Sequence, residues 1–449
     1  MRAAKGVLTI GLLAIGFGAC GDDSTQKTAG AVTFWQDVAP IYNSKCVGCH
    51  QQGGIAPFRL DTYADAKAFA AIEQVRVNAG TMPPYFIVHD GSCGSFQDDT
   101  TLTDQQKATI NAWVDGGTPE GAAATLTLPP QPVLVGASEV ATPQFMPIAQ
   151  GGQLAEFDEY RCFMMDWPHS ADDFLTGYHV TPGDATVVHH VLGFVVDLQK
   201  RGAGGRTNAE IIQSLQDPAS GRAGWPCFGG AGDGVNSTGL PIAWAPGQGV
   251  VNYPSGMGVP VHPTDKLVVQ IHYNLADPLS VGRTDSTTLH LRFAASVNRQ
   301  LVFLLPDPFL KSIAHTDSAG NPDPDTLPPG QANTKYTWSL MARDLGVDGT
   351  NIPSVDMVAV APHMHGRGVR QMLKIGPAAS PACAAHLENW NFHWQEFYFY
   401  KTPIAIGPDS QVQLTCEYDT SADTMPVLPG WGTRNEMCMA IMMVALPPQ

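Results

Sequence analysis

The chain has 449 residues and a formal net charge of −16, from 25 basic and 41 acidic side chains. It carries no basic block, which excludes nucleic acid as a partner and leaves the acidity as an aid to solubility. The length allows about two to four domains, and 46 glycines with 36 prolines favour many turns between short strands.

Residues 1–20 read as an export signal. Arg2 and Lys5 give a positive start, and Val7 to Phe17 is an apolar run too short to span a bilayer as a mature helix. The run closes in Phe17-Gly18-Ala19-Cys20, which resembles a bacterial lipoprotein box and would make Cys20 the lipidated N-terminus of the mature protein. Gly21 follows, not aspartate, so the resemblance implies the outer membrane, on its periplasmic side or at the cell surface. No later segment reaches about eighteen unbroken apolar residues, so membrane contact is expected through lipid only. Residues 21–31 form a small, polar tether.

Residues 32–120 are expected to be a small all-α domain of the cytochrome c type. Helices are predicted from Thr33 to Ile41, over Thr62 to Val77, and from Thr103 through Trp113 to the stop at Gly116-Gly117. Thr103 and Gln106 offer a capping box for the third. Between the first two helices lies Cys46-Val47-Gly48-Cys49-His50. Thiols three positions apart can each add to a haem vinyl group, and the next histidine then lies beneath the iron. In Gly80-Thr81-Met82-Pro83-Pro84, the prolines hold an extended loop that can present Met82 to the other haem face. A zinc-binding cysteine pair would call for a second Cys-x-x-Cys, which the sequence lacks. One covalent haem c, held by Cys46, Cys49, His50 and Met82, is the expectation.

A Pro-rich linker, 121–150, leads into a β-rich remainder. Short runs such as Thr186–Val196, Lys266–Tyr273, Thr287–Phe293, Met357–Val360, Gln411–Tyr418 and Met439–Leu446 alternate with Gly/Pro turns, and no helical periodicity of useful length competes. The spacing predicts β-sandwiches or jelly rolls, with room for two. Trp390, Trp394 and the run Phe397–Tyr400 read as one buried strand. Six cysteines remain beyond Cys20, Cys46 and Cys49, an even set open to three bridges in an exported chain.

Three histidine groups stand out: His189-His190, His272, and His363 with His365. Histidines at i and i+2 on a strand share a face and can chelate one ion. Adjacent His189 and His190 would point to opposite faces, so joint ligation requires a bulge. Imidazole-rich, carboxylate-poor groups suit copper or zinc better than calcium or magnesium.

Taken in order, His189-His190-Val191-Leu192-Gly193-Phe194, Gln270-Ile271-His272-Tyr273-Asn274, His363-Met364-His365-Gly366 and Glu436-Met437-Cys438 resemble the copper type II, ascorbate-dependent monooxygenases. The resemblance covers roughly residues 150–449 and implies two jelly-roll copper domains, 151–300 and 301–449, facing across a solvent-filled cleft. It implies an electron-transfer copper on His189, His190 and His272, and a dioxygen-activating copper on His363, His365 and Met437. Met437, among the nearby Met439, Met442 and Met443, is singled out by the Glu-Met-Cys match alone; a thioether does favour Cu(I). The resemblance also implies a Cys416–Cys438 disulfide, with Cys162–Cys227 as a second bridge in the first copper domain. Whether Cys93 and Cys383 pair stays open.

Two positions depart from the peptide-processing members of that family. Ala361 stands where they have arginine, two residues before His363, and Ile441 stands where they have tyrosine, four after Met437. Amidation of glycine-extended peptides is therefore not expected, and the substrate is an unidentified small organic molecule. The expectation is a monooxygenase that inserts one atom of dioxygen into a C–H bond. The fused haem would replace or supplement ascorbate as electron donor, with ascorbate or a redox protein as reductant, and flow outward from copper to haem stays open. The alternatives are a non-catalytic copper-binding, electron-transfer lipoprotein and a structural zinc protein. The eight other histidines are expected at the surface or in structural roles, with His262 and His393 the two to examine near the cleft.

Overall fold

The computed structural model describes residues 31–52, 56–125, 127–129, 133–150, 157–169, 171–216, 218–227, 230–246, 248–304, 315–316, 322–323, 326–345, 354–392, 394–430 and 434–448. Cys20, the export signal and nearly all of the tether lie outside the described residues. Among the described residues, no helix is long and apolar enough to cross a membrane.

The molecule is mostly β-sheet, with a few helices at its N-terminal end. Phe34–Val38 is a π-helical turn that runs into the helix Ala39–Lys45; Tyr63–Asn78 and Asp104–Asp115 follow. Thr103 and Gln106 cap the last helix reciprocally, which contributes about 1 kcal/mol. Phe34, Tyr42, Ile110 and Trp113 are fully enclosed between these helices and form their shared core.

Among the described residues, four sheets build most of the rest. An antiparallel five-stranded sheet runs Trp225–Pro226, Asp158–Asp166, Asp265–Asn274, Val188–Asp197, Gly239–Trp244. It covers one part of a nine-stranded sheet that includes Asp173–Thr181 and Thr288–Ala294. A four-stranded sheet, Thr334–Met341, Gln411–Tyr418, Gly368–Gly376, Ala382–Leu387, covers the other part, which includes Val355–His363 and Met439–Ala445. The nine-stranded sheet is continuous across the two sandwiches through a parallel pairing of Arg299 with Met257. Arg299 tightens that seam, donating to Asp356 at 2.7 Å and to the carbonyls of Ala445 and Leu446. The fourth sheet is a pair of two-residue strands, His315–Thr316 and Pro322–Asp323.

Three features depart from the sequence reading. Asn208–Leu215 is a helix inside the β-rich half. It spans only eight residues, too few for periodicity to register, although its capping box, Thr207 with Glu210, is local and legible. The aromatic strand is Tyr398–Ile406, whereas Trp390 and Trp394 lie in the loop before it. Finally, residues 85–97 leave the helices and pack into the second sandwich. Tyr85, Phe86, Ile87 and Phe96 join its core, and a Cys93–Cys383 disulfide pins the segment to Ala382–Leu387. Cys162–Cys227 and Cys416–Cys438 are the other two bridges.

Candidate metal centres

His189 and His190 begin the strand Val188–Asp197, and His272 lies directly opposite His190 on Asp265–Asn274. The pairing shifts register between Val188 and His190. This bulge lets two consecutive side chains turn to one side, which a regular strand forbids. His190 Nδ1 stands 3.3 Å from His189 Nδ1 and 3.2 Å from His272 Nδ1. Nitrogens bound at about 2.0 Å in a tetrahedral shell lie about 3.3 Å apart, so both spacings fit a shared metal ion. A hydrogen bond between two imidazoles would satisfy two of these nitrogens, not three.

The surroundings prepare the same atoms. Buried Asp158 accepts from His272 Nε2 at 3.0 Å, which fixes the tautomer and leaves Nδ1 for a metal. Tyr160 stacks on His272 at 4.1 Å with the rings almost parallel. Burial, reinforced by His272 and His189, holds the His190 imidazole well below its ordinary titration range. It is therefore neutral, the form that binds metal.

The second cluster forms where Val355–His363 ends. His363 is the last residue of the strand, Met364 is buried in the core behind it, and His365 returns to the front, 5.2 Å from His363 between ring centroids. His363 Nδ1 donates to Gln395 Oε1 at 2.6 Å, and His365 Nδ1 donates to the Asn435 carbonyl at 3.1 Å. Each Nε2 is left available for a metal. Burial pushes His363 down to about 4; burial and then His363 push His365 down to about 3. Met437 is 1% exposed and lines the same cavity as both rings.

Glu436 holds these elements together. Its buried carboxylate accepts the backbone N–H groups of His365 at 2.9 Å, Arg367 at 2.5 Å and Met437 at 3.1 Å. Burial nevertheless pushes its carboxyl up to about 7. Tyr418 donates to the Met437 carbonyl, and the Cys416–Cys438 bridge anchors the next residue.

The two clusters face one another. His190, His363, His365 and Met437 line a single cavity of about 80 Å³, together with Ala361 and Ile441. Phe392 stands between the clusters, its ring 4.6 Å from His189 and 5.6 Å from His365. Ala361 and Ile441 are direct cross-strand partners, so an apolar pair occupies that wall.

Cys46, Cys49, His50 and Met82 line a second cavity, of about 360 Å³. Both thiols are free, and His50 Nδ1 donates to the Phe58 carbonyl at 2.9 Å, leaving Nε2 available. Buried Glu73 accepts from Tyr42 within this cavity. Two residues of the β-rich body, Pro246 and Trp394, complete its wall.

Of the other histidines, His262 pairs with Asp172 on the exposed surface, and His393 lies outside the described residues. Asp158, Phe392, Trp394 and Gln395 carry no signal that sequence reading could attach to the metal clusters. Glu436 lay inside a recognised motif, but its role as a clamp is visible only in three dimensions.

Two facing histidine clusters on a pair of β-sandwiches define a candidate dinuclear metalloenzyme. Comparison with known proteins narrows the class: residues 323–447 match the copper type II ascorbate-dependent monooxygenase C-terminal domain. Tyramine beta-hydroxylase of Caenorhabditis briggsae is 24% identical over 298 residues, covering 62% of this chain and 44% of that protein. DBH-like monooxygenase protein 1 of Mus musculus is 23% identical over 207 residues, covering 45% and 32%. Dopamine beta-hydroxylase of Rattus norvegicus is 21% identical over 297 residues, covering 62% and 42%. The chain thus spans less than half the length of these curated relatives. His363, His365 and Met437 all fall within the segment that is similar to the C-terminal domain of the copper monooxygenases.

Proposed function

We propose that the protein is a copper-dependent monooxygenase that hydroxylates a C–H bond of a small organic substrate. The overall balance is substrate, dioxygen, two electrons and two protons going to hydroxylated product and water. The observation that carries this reading is that His190 Nδ1 stands 3.3 Å from His189 Nδ1 and 3.2 Å from His272 Nδ1, all three histidines within 4.8 Å of one another through their ring nitrogens, with His190 on one cavity with His363, His365 and Met437. When bound, copper at these positions supplies one-electron chemistry and activation of dioxygen.

The chain's own residues account for the rest. His189, His190 and His272 would hold one ion, with Asp158 orienting His272. His363, His365 and Met437 would hold the other, with Gln395 and Glu436 fixing the two rings. Ala361 and Ile441 give the cavity an apolar wall with no cation for a peptide carboxylate. This fits an apolar reacting carbon.

Two free thiols, a histidine with one open ring nitrogen and a methionine on a common cavity fit one covalent haem c, the proposed electron carrier. We read residues 32–120 as the haem-bearing domain, and 151–300 and 301–449 as the two copper domains. Ascorbate or a redox protein is the proposed primary donor. Cys20 is the proposed lipid attachment point, which Cys20→Ser would remove in a fatty-acid labelling experiment.

The functional test is oxygen uptake by protein loaded with two coppers and reduced haem, across a substrate screen with labelled dioxygen. One labelled oxygen atom in the product per dioxygen consumed supports the reading. Two bound coppers with no uptake on any substrate would leave a non-catalytic electron-transfer protein instead, and zinc in protein purified without added metal would favour a structural site.

A further inference from the structure

The cavity lined by Cys46, Cys49, His50 and Met82 and the cavity lined by the histidine clusters are separated by one thin wall. Trp394 lines the first cavity, while Gln395 and Glu396, the next two residues, line the second. On the other side of the wall, Pro246 lines the first and Ala245 the second. The two crossings differ in how they reach a metal ligand. From Trp394, one peptide bond leads to Gln395, whose Oε1 accepts from His363 Nδ1 at 2.6 Å. From Pro246, the path follows the chain back to Trp244, crosses a strand pairing to Val191 and only then reaches His190.

The segment is also held in place. Trp394 Nε1 donates to Glu396 Oε1 at 3.2 Å, and Gln395 Nε2 donates to the Phe392 carbonyl at 2.8 Å. Both bonds are local, and that from Gln395 Nε2 keeps the side-chain Oε1 of Gln395 aimed at His363.

We infer that Trp394 and Gln395 form the electron-entry junction of this protein, and that it opens onto His363 instead of onto the His189, His190 and His272 cluster. In the step that crosses it, one electron passes from iron(II) in the first cavity to copper(II) at His363. Iron(III) and copper(I) result, and no proton need move. The iron is first reduced by a one-electron donor of the ascorbate class or by a redox protein. Trp394 acts through Gln395 and is a positioning and conducting residue, not a catalytic one. The inference rests on the proposed haem and copper sites but not on oxygenase activity.

The test uses the full chain with haem attached and copper(II) loaded, without dioxygen or substrate. A light pulse and a photosensitiser inject one electron into the haem, and its absorbance reports the decay. The decay should persist in His272→Ala, which lacks the first cluster's copper, and be lost in His363→Ala. Trp394→Leu should slow it by more than any accompanying shift in the haem midpoint potential accounts for, with two coppers still bound. Copper content and the haem spectrum of each variant establish that it folds. Decay that depends on His272, or decay in Trp394→Leu at the unaltered rate, overturns the junction. A failure of the monooxygenase reading would appear separately, as absent oxygen uptake in protein whose haem decay is intact.

Discussion

Glu436 accepts the backbone N–H of His365 at 2.9 Å from inside the protein, where its carboxylate is 1% exposed. A residue next to Met437 in sequence thereby fixes the position of a histidine 71 residues earlier. The proposed ligands His365 and Met437 are coupled through one side chain, and this coupling is open to direct measurement.

Glu436→Gln keeps the shape but replaces one accepting oxygen with an NH2 group. At least one of the three backbone N–H groups then faces a donor, which costs about 1–3 kcal/mol. The melting temperature should fall, and copper bound at His363, His365 and Met437 should be weakened more than copper at the other cluster. Equal weakening at both clusters would argue against a local clamp.

Asp158→Asn weakens the acceptor that orients His272. Loss of such a partner typically costs about 10–100-fold in metal affinity. Copper titration should show that drop at the cluster of His189, His190 and His272 alone. An unchanged affinity would mean that Tyr160 stacking suffices to hold the ring.

Burial pushes the Glu73 carboxyl up to about 7 from 4.5, and the hydrogen bond from Tyr42 only partly offsets it. The folded-state value is the raised one. Its contribution is therefore fully present below about 4.5 and is lost as pH rises through about 7. The effect is on the order of 3 kcal/mol. Haem-free protein should unfold at lower denaturant at pH 8 than at pH 5, and Glu73→Gln should flatten that dependence. A parallel slope in both proteins would reject Glu73 as the source.

The Cys93–Cys383 bridge fastens the 85–97 segment to the second sandwich. Replacing both cysteines with serine should cost about 2–4 kcal/mol and expose residues 85–97 to protease, with copper content unchanged. Protection equal to that of the unaltered protein would show that the buried aromatics hold the segment without the bridge.

Phe392 fills the space between the clusters, so Phe392→Ala should admit water there. Oxygen consumption should then exceed product formed. Consumption that stays matched to product would remove Phe392 as a water barrier.

The local and periodic features were legible in the sequence: the helices around Thr62 and Thr103, the strand runs, the Cys-x-x-Cys-His motif and the three histidine groups. Each depends on residues near one another in the chain, where dihedral preference, capping and side-chain alternation act. The need for a bulge at His189-His190 was readable for the same reason, because the two-residue period of a strand leaves no other way to align them. Asp158, Glu436, Gln395 and Phe392 were not readable as parts of the site. Their partners lie 114, 71, 32 and 203 residues away, counting Asp158 to His272, Glu436 to His365, Gln395 to His363 and Phe392 to His189. Only the packing of the sandwiches brings these together. The same holds for Trp394, whose aromatic neighbours suggest a buried strand. It became the wall between two cavities because the 85–97 segment and the Cys93–Cys383 bridge hold the helical end against the second sandwich. Sequence alone singled out the residues whose chemistry suits a metal or haem; the tertiary structure decided which of them face one another, because burial and hydrogen bonding act across space without regard to chain separation.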